Sequence, residues 1–94
     1  MDRSSLEELL TPITASADPT SYGVRVAVLP DGVRPQAADW HPATWVTIGG
    51  APHTAILVGP GGVVELEPGP HRTWTEITAP PEKPVVVSEP FSIT

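Results

Sequence analysis

Cysteine is absent from this chain of 94 residues, and basic and aromatic residues are scarce. Without cysteine the chain has no disulfide bonds and no thiolate metal site, so a domain this small depends on its core, a partner or copies of itself for stability. Five basic residues against 11 acidic ones give a formal net charge of −6. Because proteins bind nucleic acid largely through its phosphates, this charge argues against a nucleic-acid-binding protein.

Long apolar runs are missing as well. The first ten residues, MDRSSLEELL, lack the basic start and the apolar stretch of a signal peptide. No later segment reaches the length of a membrane-spanning helix. We therefore expect a protein that is cytosolic when it is made and that does not bind a membrane.

Proline and glycine, in contrast, are abundant, with 13 prolines and eight glycines. Proline in a helix interior removes a hydrogen bond and clashes with the preceding turn, which excludes a helical bundle. A hydrophobic content of 39% is too high for a disordered chain. Both observations are satisfied by one all-β domain in which many turns separate short strands, as in a sandwich or a partly open barrel.

The middle of the chain shows the alternation of half-buried strands. In residues 22–29 the valines at positions 24, 26 and 28 share one face, and residues 44–48 and 53–58 predict two further strands. Pro30-Asp31-Gly32 predicts a turn. Gly59-Pro60-Gly61-Gly62 predicts a type II turn, because Pro-Gly suits its two central positions. We expect this turn to join Thr54–Val58 and Val63–Glu67 into a hairpin, with Val64 and Leu66 facing inward.

The two ends of the chain are less regular. Residues 1–17 have two interpretations: a short helix capped by Ser4 or Ser5, or a first strand over residues 8–15 with Leu10 and Ile13 inward. We accordingly divide the chain into an N-terminal arm or first strand, 1–17, and a β-domain, 18–94. Proline-rich residues 79–84 predict a stiff extended loop. The final strand is expected to bulge or break at Glu89-Pro90 and to place four apolar residues on a single face: Val85, Val87, Phe91 and Ile93.

No residue pattern indicates catalysis, a cofactor or a metal site. His41, His53 and His71 are separated by 12 and 18 residues, a spacing that matches no metal motif. They are better interpreted as solvent-exposed residues at loop ends and strand starts. The Gly59–Gly62 segment is not a phosphate loop, since no lysine follows it. We therefore expect no enzymatic activity.

The tryptophans are the most informative side chains. Trp40 and Trp45 flank the junction between a loop and a strand, and at least one of them is expected to cap the core. Residues 71–78 alternate between two sets, one containing Thr73, Thr75 and Ile77 and the other containing Trp74. Periodicity alone leaves open which set is buried. An exposed tryptophan between charged residues is typical of an anchor in a protein interface.

Several short motifs together resemble a known family. They are, in chain order, Asp39-Trp40-His41-Pro42-Ala43-Thr44-Trp45, Ile56-Leu57-Val58-Gly59-Pro60-Gly61-Gly62, Leu66-Glu67-Pro68-Gly69, Trp74 through Ile77-Thr78, Pro81-Glu82-Lys83-Pro84-Val85 and Ser92-Ile93-Thr94. Over residues 18–94 this series resembles small structural proteins encoded in the head and neck gene cluster of tailed phages and prophages of actinobacteria. His71 and Glu76 depart from the family pattern. Its inward valines correspond to Thr73 and Thr75, which implies that Trp74 points outward.

The residue pattern predicts six or seven short strands at roughly even spacing, and together with the resemblance it leads us to expect an immunoglobulin-like antiparallel β-sandwich. The resemblance also implies a virion structural protein, most specifically a head-to-tail connector, made in the host cytoplasm. The expected partners are portal or adaptor, capsid or tail subunits and copies of the chain itself. A capsid decoration protein and a monomeric carbohydrate- or peptide-binding sandwich are the alternatives. The candidate contact residues are Trp74, Arg72, Glu76, Phe91, Ile93, Leu9 and Leu10.

Overall fold

A computed structural model describes residues 4–14, 18–79 and 83–94 and shows an all-β protein, as predicted. The described residues form eight strands, more than the six or seven predicted, and one short 3-10 helix, Ala37–Asp39. The strands are β1 (Glu7–Pro12), β2 (Gly23–Pro30), β3 (His41–Pro42), β4 (Thr44–Ile48), β5 (Ala51–Val58), β6 (Gly69–Thr78), β7 (Val85–Val87) and β8 (Phe91–Ile93). None of the described segments is a helix long and apolar enough to span a bilayer.

The strands form two antiparallel sheets. Sheet A has the order β1-β5-β4, and sheet B has the order β3-β2-β6-β7, with β8 also paired to β6. The chain crosses from sheet B to sheet A between β3 and β4, through Ala43 alone. The amide of Ala43 donates a hydrogen bond to the carbonyl of Val24 at 3.1 Å. This crossing closes one side of the sandwich with a continuous chain.

The core lies between the two sheets. Its larger cluster combines Val26 and Val28 of sheet B with Ile56 and Val58 of sheet A, together with Leu66 and Ile93. A smaller cluster contains Ile13, Val24 and Ile77, and half-buried Trp45 packs against it. The indole N–H of Trp45 donates to the carbonyl of Tyr22 at 2.9 Å. Trp45 therefore caps the core, which confirms the expectation for this pair of tryptophans.

The N-terminal segment is a strand, not a helix. All six residues of β1 pair with β5, from Glu7 opposite Val58 to Pro12 opposite His53. Ile13 is buried as expected, but Leu10 is 40% exposed, so the inward orientation predicted for Leu10 is wrong. Residues on one face of a strand are separated by two positions, and Leu9 and Thr11 are the ones that face the core. Residues 1–3 and 15–17 lie outside the described residues.

The turn at residues 59–62 is confirmed, but the hairpin predicted around it is wrong. The amide of Gly62 donates to the carbonyl of Gly59 at 3.0 Å, and Gly61 has a φ of 77°, as a type II turn requires. After the turn, however, Val64 forms only an isolated parallel bridge with Val58. Leu66 still points into the core, and its burial explains why the segment returns towards the sandwich.

The last two strands are separated by the expected break, which is a bulge. Residues 74–76 of β6 pair with 85–87, whereas residues 69–71 pair with 91–93. Two residues of β6 therefore stand opposite three residues, 88–90, and this extra residue reverses the faces of the strand beyond it. The prediction of one common face is wrong: Val85 and Val87 lie on the outer face, while Phe91 and Ile93 face inward. Of the predicted proline-rich loop, residues 80–82 lie outside the described residues.

Candidate interaction surface

The alternation of β6 places its polar residues inside and its tryptophan outside. Thr73, Thr75 and Ile77 are 1%, 0% and 5% exposed, respectively. Trp74 lies on the opposite, outer face of sheet B and is half-buried there. It stands opposite Ala27 of β2 on one side and Val87 of β7 on the other. The outward orientation implied by the family resemblance is therefore the one observed.

Ion pairs flank Trp74 on both sides. Arg25 donates from Nε and Nη2 to the two carboxylate oxygens of Glu76, at 2.8 and 3.1 Å. Arg72 donates from Nε to Asp31 at 2.6 Å and from Nη1 to the carbonyl of Ser88 at 3.2 Å. Arg72 thus connects the turn after β2 to the bulge before β8. The charged groups on this face neutralise one another.

The first ion pair also has an aromatic neighbour and an electrostatic effect. The guanidinium carbon of Arg25 lies 4.8 Å from the ring centre of Trp40, the distance of a cation–π contact. The hydrogen bonds from Arg25 are the main reason that the pKa of Glu76 lies below its ordinary value of 4.5, and Lys83 acts in the same direction. Glu76 therefore remains a carboxylate under mildly acidic conditions.

Replacing Arg25 with methionine is expected to lower the free energy of unfolding at pH 7 by about 0.5–1 kcal/mol, because a partly exposed pair contributes little more. A lowered folded pKa means that this contribution is complete above pH 4.5 and is lost as the pH falls through the folded value. In denaturant titrations the difference between the two proteins should therefore shrink in acid, where only the loss of the pH-independent contact between Arg25 and Trp40 remains. Arg34→Met, which removes an equal charge from an exposed loop position, should have no such effect.

Two buried polar atoms of β6 have no hydrogen-bond partner in the part of the chain that the structure describes: the indole N–H of Trp74 on the outer face and the hydroxyl of Thr75 on the inner face. An unpaired buried polar group typically costs about 1–3 kcal/mol. The folded protein is therefore less stable with threonine at position 75 than it would be with an apolar residue of the same shape.

Thr75→Val is accordingly expected to raise the free energy of unfolding by about 1–2 kcal/mol, because it removes the unpaired hydroxyl and keeps the shape. The matched variant Thr75→Ser keeps the hydroxyl and deletes a buried methyl group, so it should lower stability by about 1 kcal/mol. Chemical denaturation of the three proteins measures this order. A valine variant less stable than the native protein would contradict it.

The edge of sheet B beside Trp74 is apolar and open. Val85, Val86 and Val87 of β7 are 47%, 36% and 41% exposed. Three consecutive exposed valines on an edge strand are unusual in a monomer, because such an edge can pair with another chain. A second apolar patch, formed by Leu6, Leu57 and Val63, lies at the end of β5.

The structure distributes the predicted contact residues over different environments. Arg72, Trp74 and Glu76 lie together on the outer face of sheet B. Leu10 is exposed on sheet A, and Leu9 and Phe91 are half-buried against the core. Ile93 is only 3% exposed and belongs to the core, so its side chain is not available to a partner.

Sequence reasoning missed two of the residues that build this face, Arg25 and Asp31. Their partners are distant in sequence, 51 and 41 residues away, so no local pattern indicates the pairs. The signal for Arg25 was its position between Val24 and Val26, since a charged residue in a valine alternation points away from the core. Asp31 was recognised only as part of a turn.

The histidines do not converge. His71 is 3% exposed and lies beside Phe91, with ring centres 6.4 Å apart, so its predicted solvent exposure is wrong. Its Nδ1 is 2.9 Å from the carbonyl of Gly69, and Nδ1 of His53 is 3.0 Å from that of Ala51. Within residues 4–14, 18–79 and 83–94, no three His, Asp or Glu side chains are grouped as a metal site would require.

Comparison with known proteins adds no relative. No protein-family model matches the chain, and no curated protein or solved structure is significantly similar to it. The functional interpretation therefore depends on the residues themselves and on the motif resemblance described above.

Proposed function

We propose that this chain is a structural subunit of a larger protein assembly, and specifically a virion protein of the head-to-tail connection of a tailed phage. Its partners in this role are other virion proteins and further copies of the chain. A capsid decoration protein would use the same surface. The immunoglobulin-like assignment within the all-β class belongs to this proposal too.

The observation that carries the proposal is the outer face of sheet B with its apolar edge. Trp74 lies at its centre, and Val85 and Val87 of β7 extend the apolar surface to the edge of the sheet. Tryptophan is enriched among the residues that contribute most to protein interfaces. A face of this kind is suited to burial against another subunit.

The charges around Trp74 support the same conclusion. Leaving a charge unpaired in an interface is costly, whereas Arg25–Glu76 and Arg72–Asp31 are already paired within the chain. Lys83 adds one positive charge near Glu76. Although the chain as a whole carries a net charge of −6, this face is close to neutral, so two copies would not repel each other there.

The tryptophans do not favour the carbohydrate-binding alternative. An aromatic platform needs several free ring faces side by side, but Trp45 packs against the core and the ring of Trp40 is engaged by the guanidinium of Arg25, 4.8 Å from the ring centre. Only Trp74 lies at the centre of the face. The arrangement fits an anchor in a protein contact better than a sugar platform.

Trp74→Ala tests the proposal in a phage whose own copy of the gene has been deleted and is supplied in trans. We expect a loss of infectious particles of at least about tenfold, because truncating a central aromatic anchor typically costs 2 kcal/mol or more. Val33→Ala, at an exposed position in the loop after β2, is the matched control and should be neutral. Normal particle numbers with Trp74→Ala would exclude this face as the contact.

A further inference from the structure

The two sides of the sandwich differ in how they are closed. On one side the chain passes directly from β3 into β4, whereas on the other side the edges of the two sheets face each other across a groove of about 630 Å³. One wall is β1, the edge of sheet A, and the other is formed by β7, the bulge and Phe91 at the edge of sheet B. Among the described strands, β1 pairs with β5 alone, so its other edge is open along six residues.

The floor of the groove is apolar. Leu9 and Phe91 pack against the larger core cluster without being fully covered, and Val86 is 36% exposed on the inward-facing side of β7. These side chains come from both sheets. An inserted strand would therefore find a row of hydrogen-bonding groups on β1 and an apolar surface for alternate side chains, the two requirements of β-strand addition.

The rim of the groove is acidic. Glu7, Glu8 and Glu89 are exposed and line it, and no lysine or arginine is among the described residues that do so. A complementary strand carries basic residues at the positions that alternate with its apolar ones. A second copy of this chain is a poor fit, because it has 11 acidic residues and only five basic ones.

We infer that the groove between β1 and β7–β8 binds an extended, basic segment of a different protein, which adds as a strand to β1. This inference rests on the proposed function and specifies it, since it assigns a hetero-partner contact to the groove and leaves the outer face of sheet B for other subunits. Strand addition would also complete the open side of the core. The site is separate from Trp74, which lies on the other face of its sheet.

NMR titration of the native chain with two synthetic peptides tests the inference. Each peptide has about ten residues, one alternating valine with lysine and the other valine with glutamate, enough to cover the edge of β1. The lysine peptide is expected to shift the amide resonances of residues 7–12 and 85–91 and to slow amide exchange in β1. The glutamate peptide should bind at least about tenfold more weakly, because it meets the three carboxylates.

Charge reversal supplies the control. The double variant Glu8→Lys/Glu89→Lys should reverse the preference between the two peptides. Glu65→Lys/Glu67→Lys changes the net charge equally, but these exposed residues do not line the groove, so the preference should stay. No shift in residues 7–12 and 85–91 at millimolar peptide, equal binding of the two peptides, or equal effects of the two double variants would overturn the inference. The titration contains no virion protein, so a negative result would exclude peptide binding in the groove only. The assembly role would still be decided by the Trp74→Ala experiment on phage particles.

Discussion

Replacing Gly59 with alanine is expected to lower the free energy of unfolding by about 3–5 kcal/mol. Gly59 has a φ of +109°, and a Cβ added there would overlap the carbonyl oxygen of Ser5 and come within 3.2 Å of the Cα of Leu6. Backbone oxygen cannot move aside as a flexible side chain can. The melting temperature should fall by roughly 12 °C or more, because 1 kcal/mol corresponds to about 4–8 °C in a domain of this size.

Gly61→Ala separates the cost of a positive φ from the cost of the steric overlap with Ser5. Gly61 also has a positive φ, +77°, but an added Cβ has no neighbour within 4 Å. It should therefore cost only the conformational strain, about 1–2 kcal/mol. Equal losses at Gly59 and Gly61 in thermal and chemical denaturation would mean that residues 5–6 do not pack against the turn.

Ile93→Ala is expected to lower the free energy of unfolding by about 2–4 kcal/mol, as deletion of a buried isoleucine side chain usually does. Ile93 is 3% exposed and belongs to the larger core cluster, although only Thr94 follows it in the sequence. The matched variant Val87→Ala removes a 41% exposed side chain on the other side of the bulge and should change stability by less than about 0.5 kcal/mol.

The comparison of Ile93→Ala with Val87→Ala tests whether β7 and β8 place these two side chains on opposite faces of sheet B. If Val87→Ala destabilises the isolated chain as strongly as Ile93→Ala, then residues 85–93 share one inward face, as the simple alternation predicted, and the bulge is wrong. If Ile93→Ala is neutral, β8 does not contribute to the core. Urea denaturation of both purified variants measures the difference directly.

Local sequence patterns predicted the parts of the fold that depend on local physics. The alternation of valines in β2 predicts that one face of the strand is buried, whichever strand it pairs with. Pro60-Gly61 adopts the type II turn because the backbone preferences of the two residues suffice to form it. The strand β4 and most of β5 were predicted for the same reason.

The errors concern what these elements pair with. The turn at 59–62 is not followed by a hairpin: residues 63–67 make a single bridge to β5, between Val64 and Val58. The segment instead places Leu66 in the core. Glu89-Pro90 indicated a break, but the pattern could not show that the break adds one residue opposite β6. That single residue decides whether Phe91 and Ile93 face a partner or the core.

The candidate surface was predictable only in part. The orientation of Trp74 followed from the resemblance, which aligns Thr73 and Thr75 with inward valines. The ion pair between Arg25 and Glu76 joins two strands that are far apart in the sequence, so it becomes visible only in the folded chain. The groove was missed for the same reason, since β1 and β7 approach each other only through their sheets.

The central claim, that this chain works by contacting other subunits, can be tested through its only lysine. Lys83 lies two residues before the exposed strand β7. Particles of the phage to which the proposal assigns this chain would be purified, treated with an amine-reactive cross-linker and analysed by mass spectrometry. The account predicts that the chain is present in several copies and that Lys83 is linked to another structural protein or to a second copy. Particles that lack the chain, or that contain it with Lys83 unlinked, would contradict the account.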